Sequence, residues 1–225
     1  MYHKQSKFIG SAIMALALST TAIAKDKLPK TSHDGLTLTK HTKHTAVYVK
    51  RGETLEGYDK VMMTDVHVAF KKNWQRDYNR KEISLSAQVS DKDVEKIKNR
   101  LAVEFKVVFT EQLEKGGYPV VTTTGKHVLL LRPAIINLDI TAPDTDKSGM
   151  STQFVASAGE MTLFLELYDS MTSAIIARVI DSEADRSAGI GQRADRVSNK
   201  AAADRALRSW ANTLVKRLDG ANAHF

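Results

Sequence analysis

The chain has 225 residues, a formal charge of +7 and no cysteine, so it holds no disulfide, no cysteine nucleophile and no lipid on an N-terminal cysteine. A basic excess can serve nucleic acid, anionic lipid or an acidic polymer. Here acids are interspersed with the bases throughout, which fits a solvated surface and gives no reason to expect nucleic acid.

Residues 1–24 read as a secretory signal peptide. Lys4 and Lys7 form a positive start, Phe8 to Leu18 a short apolar run, and Ala22-Ile23-Ala24 a small-x-small cleavage site, with the cut between Ala24 and Lys25. The run is well short of the ~20 apolar residues that cross a bilayer, and no later stretch is long and apolar enough to do so. The expected location is periplasmic. The leader carries two lysines and no acid, so a mature chain of 201 residues keeps a formal charge of +5. That length suits one domain with a real core.

Residues 25–57 are polar, rich in Lys and Thr and without a helical stripe, and read as an extended arm with a short strand at Ala46-Val47-Tyr48-Val49. His41 and His44 lie three apart there, with His33 and Asp34 upstream. Flanking lysines and the lack of a third or fourth fixed ligand make solvated histidines the better reading, and no metal is expected.

Lys60 to Phe70 is expected to be one strand, with Val66, Val68 and Phe70 on one face and His67 on the other. Lys71 to Gln88 reads as an irregular connection carrying Trp74 and Tyr78. These aromatics either pack down or line a binding surface.

Ser90 to Gly117 is the strongest helical signal. Ser90 is a good N-cap, and Asp91 and Asp93 suit the positive end of the helix dipole. Val94, Ile97, Leu101, Phe105, Val108 and Leu113 make an apolar stripe, and Gly116-Gly117 supplies the left-handed stop. Such a helix needs an apolar sheet beneath it.

Tyr118 to Thr123 is a short strand with Pro119 at its start or at a sheet edge. His127 to Ala142 is a longer one, whose apolar parity switches around Pro133, where a bulge is expected. Asp144-Thr-Asp146-Lys-Ser148-Gly149 resembles the first half of a calcium loop, but Val155 stands where a bidentate Glu belongs, so a plain turn is expected.

Gly159 to Asp169 alternates, with Met161, Leu163, Leu165 and Leu167 on one face and Phe164, Glu166 and Tyr168 on the other. Ala174 to Asp181 alternates too, with Ile175, Ala177 and Val179 on one face. The two form a hairpin in which odd pairs with odd. A three-residue loop is favoured, placing Phe164 opposite Arg178 and a left-handed residue at or beside Ser173; a five-residue loop would place Glu166 there instead.

Gly189-Ile-Gly191-Gln-Arg-Ala194 fits a dinucleotide fingerprint formally, but no βαβ context surrounds it, so it reads as a loop. Ser198 to Leu218 is the second helix, with Ala203, Leu207, Trp210, Leu214 and Leu218 as its stripe and Gly220 as its stop.

The expected fold is therefore α+β: a two-layer sandwich of a mainly antiparallel sheet with two amphipathic helices on one face. The expected parts are a leader (1–24), an extended arm (25–57), one domain (58–220) and a tail (221–225).

Several segments carry a family resemblance: Tyr48-Val49-Lys50-Arg51-Gly52, Leu55-Glu56-Gly57-Tyr58-Asp59-Lys60-Val61, Phe70-Lys-Lys-Asn-Trp74, the Ser90-Asp91 helix start, and the turn Asp169-Ser-Met-Thr172-Ser173-Ala174. Together they resemble the bacterial envelope family termed domain of unknown function 3313. The resemblance implies an envelope location and supplies no catalytic residue, since its members, mostly described as lipoproteins, have no established activity. This chain departs from them in lacking a lipobox cysteine and in having Ser173 where such turns commonly carry glycine.

No G-x-S-x-G, H-E-x-x-H or cysteine nucleophile is present, and neither a catalytic residue nor a cofactor is expected. The expected function is a non-enzymatic envelope module that binds a protein or an envelope polymer; the alternatives are a small-ligand carrier and an envelope hydrolase. Trp74, Tyr78, Phe164, Tyr168 and Arg178 are the candidate interaction surface. A deep apolar pocket would favour a ligand carrier, a flat exposed patch a partner surface.

Overall fold

The structure is a computed structural model that describes residues 28–83, 88–140, 143, 158–184 and 196–223, with side chains over 28–83, 88–140, 143, 160–183 and 203–223. The leader and its Ala24–Lys25 junction, the calcium-like loop and the Gly189–Ala194 stretch lie outside the described residues.

The fold is α+β, with a mixed eight-stranded sheet and three helices among the described residues. The strands are β1 (Leu36–His41), β2 (Thr45–Lys50), β3 (Lys60–Met63), β4 (His67–Phe70), β5 (Val120–Val121), β6 (Val128–Ile140), β7 (Ala158–Asp169) and β8 (Ile175–Ala184). Their order across the sheet is β1-β2-β8-β7-β6-β3-β5, with β4 also on β6. From β1 to β6 every pairing is antiparallel; β3 and β4 pair parallel to β6, and β5 parallel to β3.

The helix expected from Ser90 is α2 (Asp91–Lys115). Ser90 and Asp93 form a reciprocal capping box that satisfies two orphan amides. Ile97, Leu101, Phe105, Val108 and Leu113 are buried as their spacing requires, together with Phe109, which stacks on Phe105 at 3.9 Å between ring centroids. Gly117 provides the left-handed stop at φ 86°. Gly116 serves a different need: a Cβ there would lie 2.6 Å from Val215 Cγ1, so it lets the second long helix, α3 (Arg196–Asn222), come close. Arg208 on α3 also reaches Glu111 on α2, Nη1 to Oε1 at 3.1 Å. The main core lies where α2 and α3 meet Leu129, Leu131, Ile135, Leu163, Leu165 and Leu167 of the sheet.

Several expectations are corrected. The polar arm of 25–57 is, from Leu36 onward, a β-hairpin that extends the sheet through β8. Its Lys/Thr composition suits the end of the sheet, where β1 is the last strand in the order. The single strand of Lys60 to Phe70 is split into β3 and β4. The break faces Pro133: the Leu131 carbonyl accepts from Thr64 N–H at 3.0 Å, so residue 133, of the same parity, turns its missing N–H towards the gap between them. The bulge expected at Pro133 falls instead at Asn137, in the left-handed region at φ 53°, where the register with β7 shifts between Ile136 and Asp139. Residues 74–81 of the supposed irregular connection are a third helix, α1 (Trp74–Lys81), which puts Trp74 and Tyr78 on one face. α3 runs through Gly220 to Asn222, so the glycine does not stop it and the expected boundary at 220 falls inside a helix.

The β7–β8 hairpin pairs odd with odd and even with even from Glu160 opposite Ala184 to Leu167 opposite Ala177, but even with odd at Tyr168 opposite Ile175, so Ile175 leaves the face expected for it and packs with Leu36, Ala46 and Tyr48 instead. Its register is the one that sets Glu166, not Phe164, opposite Arg178. The loop has four residues: Asp169 N–H donates to Ala174 O at 2.9 Å. The missing odd residue is Ile176, a β-bulge that turns into the core at 1 % exposure. Ser173 holds the left-handed position at φ 57°.

A candidate apolar groove beside the third helix

The five residues expected to share a surface do not. Trp74 is buried, stacked on Phe70 at 4.1 Å and on Tyr78 at 5.7 Å, and its Nε1–H is spent on the Ile140 carbonyl at 3.1 Å. It lines a small depression with Phe70 and Val94. Phe164, Tyr168 and Arg178 stand elsewhere, on the face of β7 and β8 that carries the even positions.

That second face is not bare. Arg178 is buried and bridges two carboxylates, donating to Glu166 Oε1 from Nε at 2.9 Å and to Asp34 Oδ1 from Nη1 at 3.2 Å, with Nη2 on both acids. It also lies over Phe164, 5.5 Å from the ring centroid, so the contact expected across the strands forms on the diagonal instead. Burial works to lower the Arg178 pKa, but Asp34 and Glu166 more than offset it and the guanidinium is held above its ordinary value. Tyr168 donates to Glu166 Oε2 at 2.8 Å and carries Arg132 over its ring at 5.1 Å. The segment from Leu28 to Gly35 covers part of this face, with Tyr48 Oη donating to Pro29 O at 3.2 Å and Leu36, Ala46 and Tyr48 forming a second small core.

The open space is on the other face. A groove of about 740 Å³ runs between α3 and the β1–β2–β8 half of the sheet. Its floor is a lattice of cross-strand rows: Thr45–Asp181–Leu163, Val47–Val179–Leu165 and Val49–Ala177–Leu167. All of these sit at odd positions and therefore on one face. Its wall is one side of α3: Ser209, Trp210, Thr213, Leu214, Arg217 and Ala221 recur at helical spacing. Leu55, with Glu53 and Thr54, borders it where the chain leaves β2. The groove exists because α3 lies along β7 while the sheet continues three strands further.

The groove has one ordered polar anchor. Asp181 accepts from Trp210 Nε1–H at 2.7 Å and, on its other oxygen, from Thr45 Oγ1. One oxygen is engaged by the wall through Trp210 and the other by the floor through Thr45, so the carboxylate fixes the indole against the floor and is not presented as a base. The exposed rim carries Thr39, Lys40, Glu53, Thr213 and Arg217. Among the described residues no three His, Cys, Asp or Glu are placed to hold a metal: His33 and His41 are exposed, and His41 and His44 flank the β1–β2 turn. No helix among them is long and apolar enough to cross a membrane.

The family model described as "Protein of unknown function (DUF3313)" matches residues 26–214. The chain belongs to this family. Two of the segments that carried its resemblance meet at the turn end of β7–β8, where Tyr58 donates to Asp169; beside them Gly57 N–H donates to Asn222 Oδ1 at 2.8 Å and His127 Nδ1–H to Gly57 O at 2.7 Å. No curated protein matches the chain. Among solved structures it is similar to the PelC dodecamer from Paraburkholderia phytofirmans, with 11% identity and a TM-score of 0.38 over 77% of this chain and 96% of that one. It is also similar to a DUF330 protein from Xanthomonas campestris, with 13% identity and a TM-score of 0.35 over 76% and 90%. A DUF4136 protein from Bacteroides thetaiotaomicron is similar too, with 9% identity and a TM-score of 0.35 over 79% and 100%.

Sequence reasoning missed the groove. The stripe of α3, the odd face of β8 and a strand at Ala46–Val49 were each legible, but the pairing of that strand, β2, with β8, which completes the floor, was not. The signal available was the alternation of Thr45, Val47 and Val49 against Ala46 and Tyr48.

Proposed function

We propose that this chain is an exported, non-enzymatic binding module of the cell envelope, and that its site is the groove between α3 and the β2–β8 half of the sheet. The leader is cleaved between Ala24 and Lys25, and the mature protein, lacking a lipobox cysteine, works in the periplasm. Its architecture is a two-layer sandwich, antiparallel through most of its pairings, with α2 and α3 on one face and part of that face left open as the groove.

One observation carries the reading: a concave, mostly apolar space of about 740 Å³ with a single ordered polar pair, Asp181 and Trp210. Small-molecule sites run to roughly 300–1,000 Å³ and have this composition. The bound species has an apolar body that replaces water over Val47, Val49, Val179 and Leu165. The test uses the neutral dye Nile red. It should bind the purified protein one to one with a rise in fluorescence, and Val179→Trp, which fills the groove from its floor, should abolish the rise while the fold persists by circular dichroism. An unchanged rise in that variant would place the apolar site elsewhere.

A second reading rests on the other face, where Phe164 and Tyr168 remain half-buried beside exposed Arg132. Aromatics flanked by arginine suit a protein or polymer partner. Because Arg178 is consumed by Asp34 and Glu166, the exposed charge beside Tyr168 is that of Arg132. Arg132→Glu should weaken capture of such a partner without affecting dye binding.

A further inference from the structure

We infer that the groove takes a single-chain amphiphile with a carboxylate head, a fatty acid, lying with its chain along the floor and its head between Lys40 and Arg217 at the rim; the inference rests on the groove reading proposed above. Three observations select this chemistry.

The first is the state of the backbone. β2 is paired on both sides, with β1 and β8; β8 with β2 and β7; β7 with β8 and β6. The amides of α3 are spent within the helix. The floor and the wall therefore offer no free main-chain group. An extended peptide lying there would bury its own amides without partners, which is costly. An acyl chain has no amides to bury.

The second is the gap. A helical partner would satisfy its amides internally but is about 10–12 Å across with its side chains. A helix already packs on a sheet here through α3, and Trp210 is fixed to Asp181 across the groove. A flexible acyl chain can lie beside that pair without breaking the bond. The floor from Thr45 to Val49 spans about 13 Å at ~3.3 Å per residue, and the wall from Ser209 to Ala221 about 18 Å at 1.5 Å per residue.

The third is charge. The acid within the groove, Asp181, is occupied by Thr45 and Trp210. At the rim stand two cations, Lys40 and Arg217, both exposed and neither in an ion pair among the described residues, against one acid, Glu53. A ligand whose body is apolar and whose head is anionic satisfies both floor and rim. A neutral amphiphile satisfies only the floor.

The experiment is displacement of Nile red by dodecanoate, by palmitate and by dodecanol, the neutral analogue with the same chain. Dodecanoate is expected to displace the dye about five- to tenfold more tightly than dodecanol at low salt, and less so at high salt, as two exposed cations would allow. In Lys40→Gln/Arg217→Gln, two surface changes, the alcohol should bind as before and the carboxylate should fall to its level. In Val179→Trp neither should bind. If dodecanoate and dodecanol displace the dye equally, the anionic head is wrong while the apolar groove stands. If the preference persists in the double variant, Lys40 and Arg217 do not hold the head and the inference is overturned. If Nile red itself does not bind, the groove reading fails and this inference with it.

Discussion

The Tyr58 hydroxyl donates to Asp169 Oδ2 at 3.0 Å and ties the loop before β3 to the turn of the β7–β8 hairpin, 111 residues away in the chain. Burial first, and then this hydrogen bond, pushes the Tyr58 pKa up to about 12, so the phenol remains a donor. The same carboxylate accepts through Oδ1 from Met171 N–H at 3.0 Å, Thr172 N–H at 2.7 Å and Thr172 Oγ1–H at 2.8 Å. One side chain thus closes the turn and docks it. Tyr58→Phe removes one hydrogen bond and should cost about 0.5–1.5 kcal/mol in urea unfolding. Asp169→Ala strands several donors and should cost more, up to about 3 kcal/mol. Equal losses would mean the turn does not depend on the carboxylate.

Ser173 occupies the left-handed position of that turn at φ 57° without the freedom of glycine. Ser173→Gly should raise the midpoint of thermal unfolding or leave it unchanged, since relief of local strain opposes the greater entropy of an unfolded glycine. A clear fall would show that Ser173 has a role beyond its backbone.

Asp34 fastens the Leu28–Gly35 segment to the sheet through Arg178. Burial would raise its pKa, but hydrogen bonds from Arg178 and Ser32 prevail and lower it from 3.8 to about 2. A carboxylate with a depressed folded-state pKa gives stability that is whole above its unfolded value and is lost as the pH falls through the folded one. The loss should therefore run from about pH 4 down to about pH 2, and amount to about 2 kcal/mol. Asp34→Asn should be less stable near neutrality and lack this part of the acid sensitivity. Urea titrations of both forms at about pH 5 and about pH 2 measure the difference.

On α2, Leu101 is fully buried while Val103 is 62% exposed. Leu101→Ala should cost about 2–5 kcal/mol, and Val103→Ala within about 0.5 kcal/mol of nothing. Denaturant midpoints decide it.

Protein recovered from the periplasm should have the intact mass of a chain starting at Lys25. A chain starting at Met1, or one held on membranes through a carbonate wash, would contradict export with cleavage.

The local signals were legible in the sequence because each physical cause sits within a few residues. Ser90 caps α2 because Asp93 lies three positions on, the stripe from Ile97 to Leu113 follows from 3.6 residues per turn, and the face of Met161, Leu163, Leu165 and Leu167 follows from the pleat. Family membership was legible too, from short segments, two of which meet at the turn of β7–β8. The tertiary structure decided what depends on partners distant in the chain. A Lys- and Thr-rich stretch became β1 and β2 because β8 offered an open edge. The apolar run of Lys60 to Phe70 broke where Pro133 withholds an amide. The bulge fell at Asn137, and Ile176 absorbed the odd residue of the hairpin because the core took its side chain. Trp74 and Tyr78, read as a possible binding surface, are packing residues once α1 forms. The groove arises from none of its elements alone: it is the interval left when a helix lies along β7 of a sheet that extends further, and the sequence of neither partner encodes an empty space.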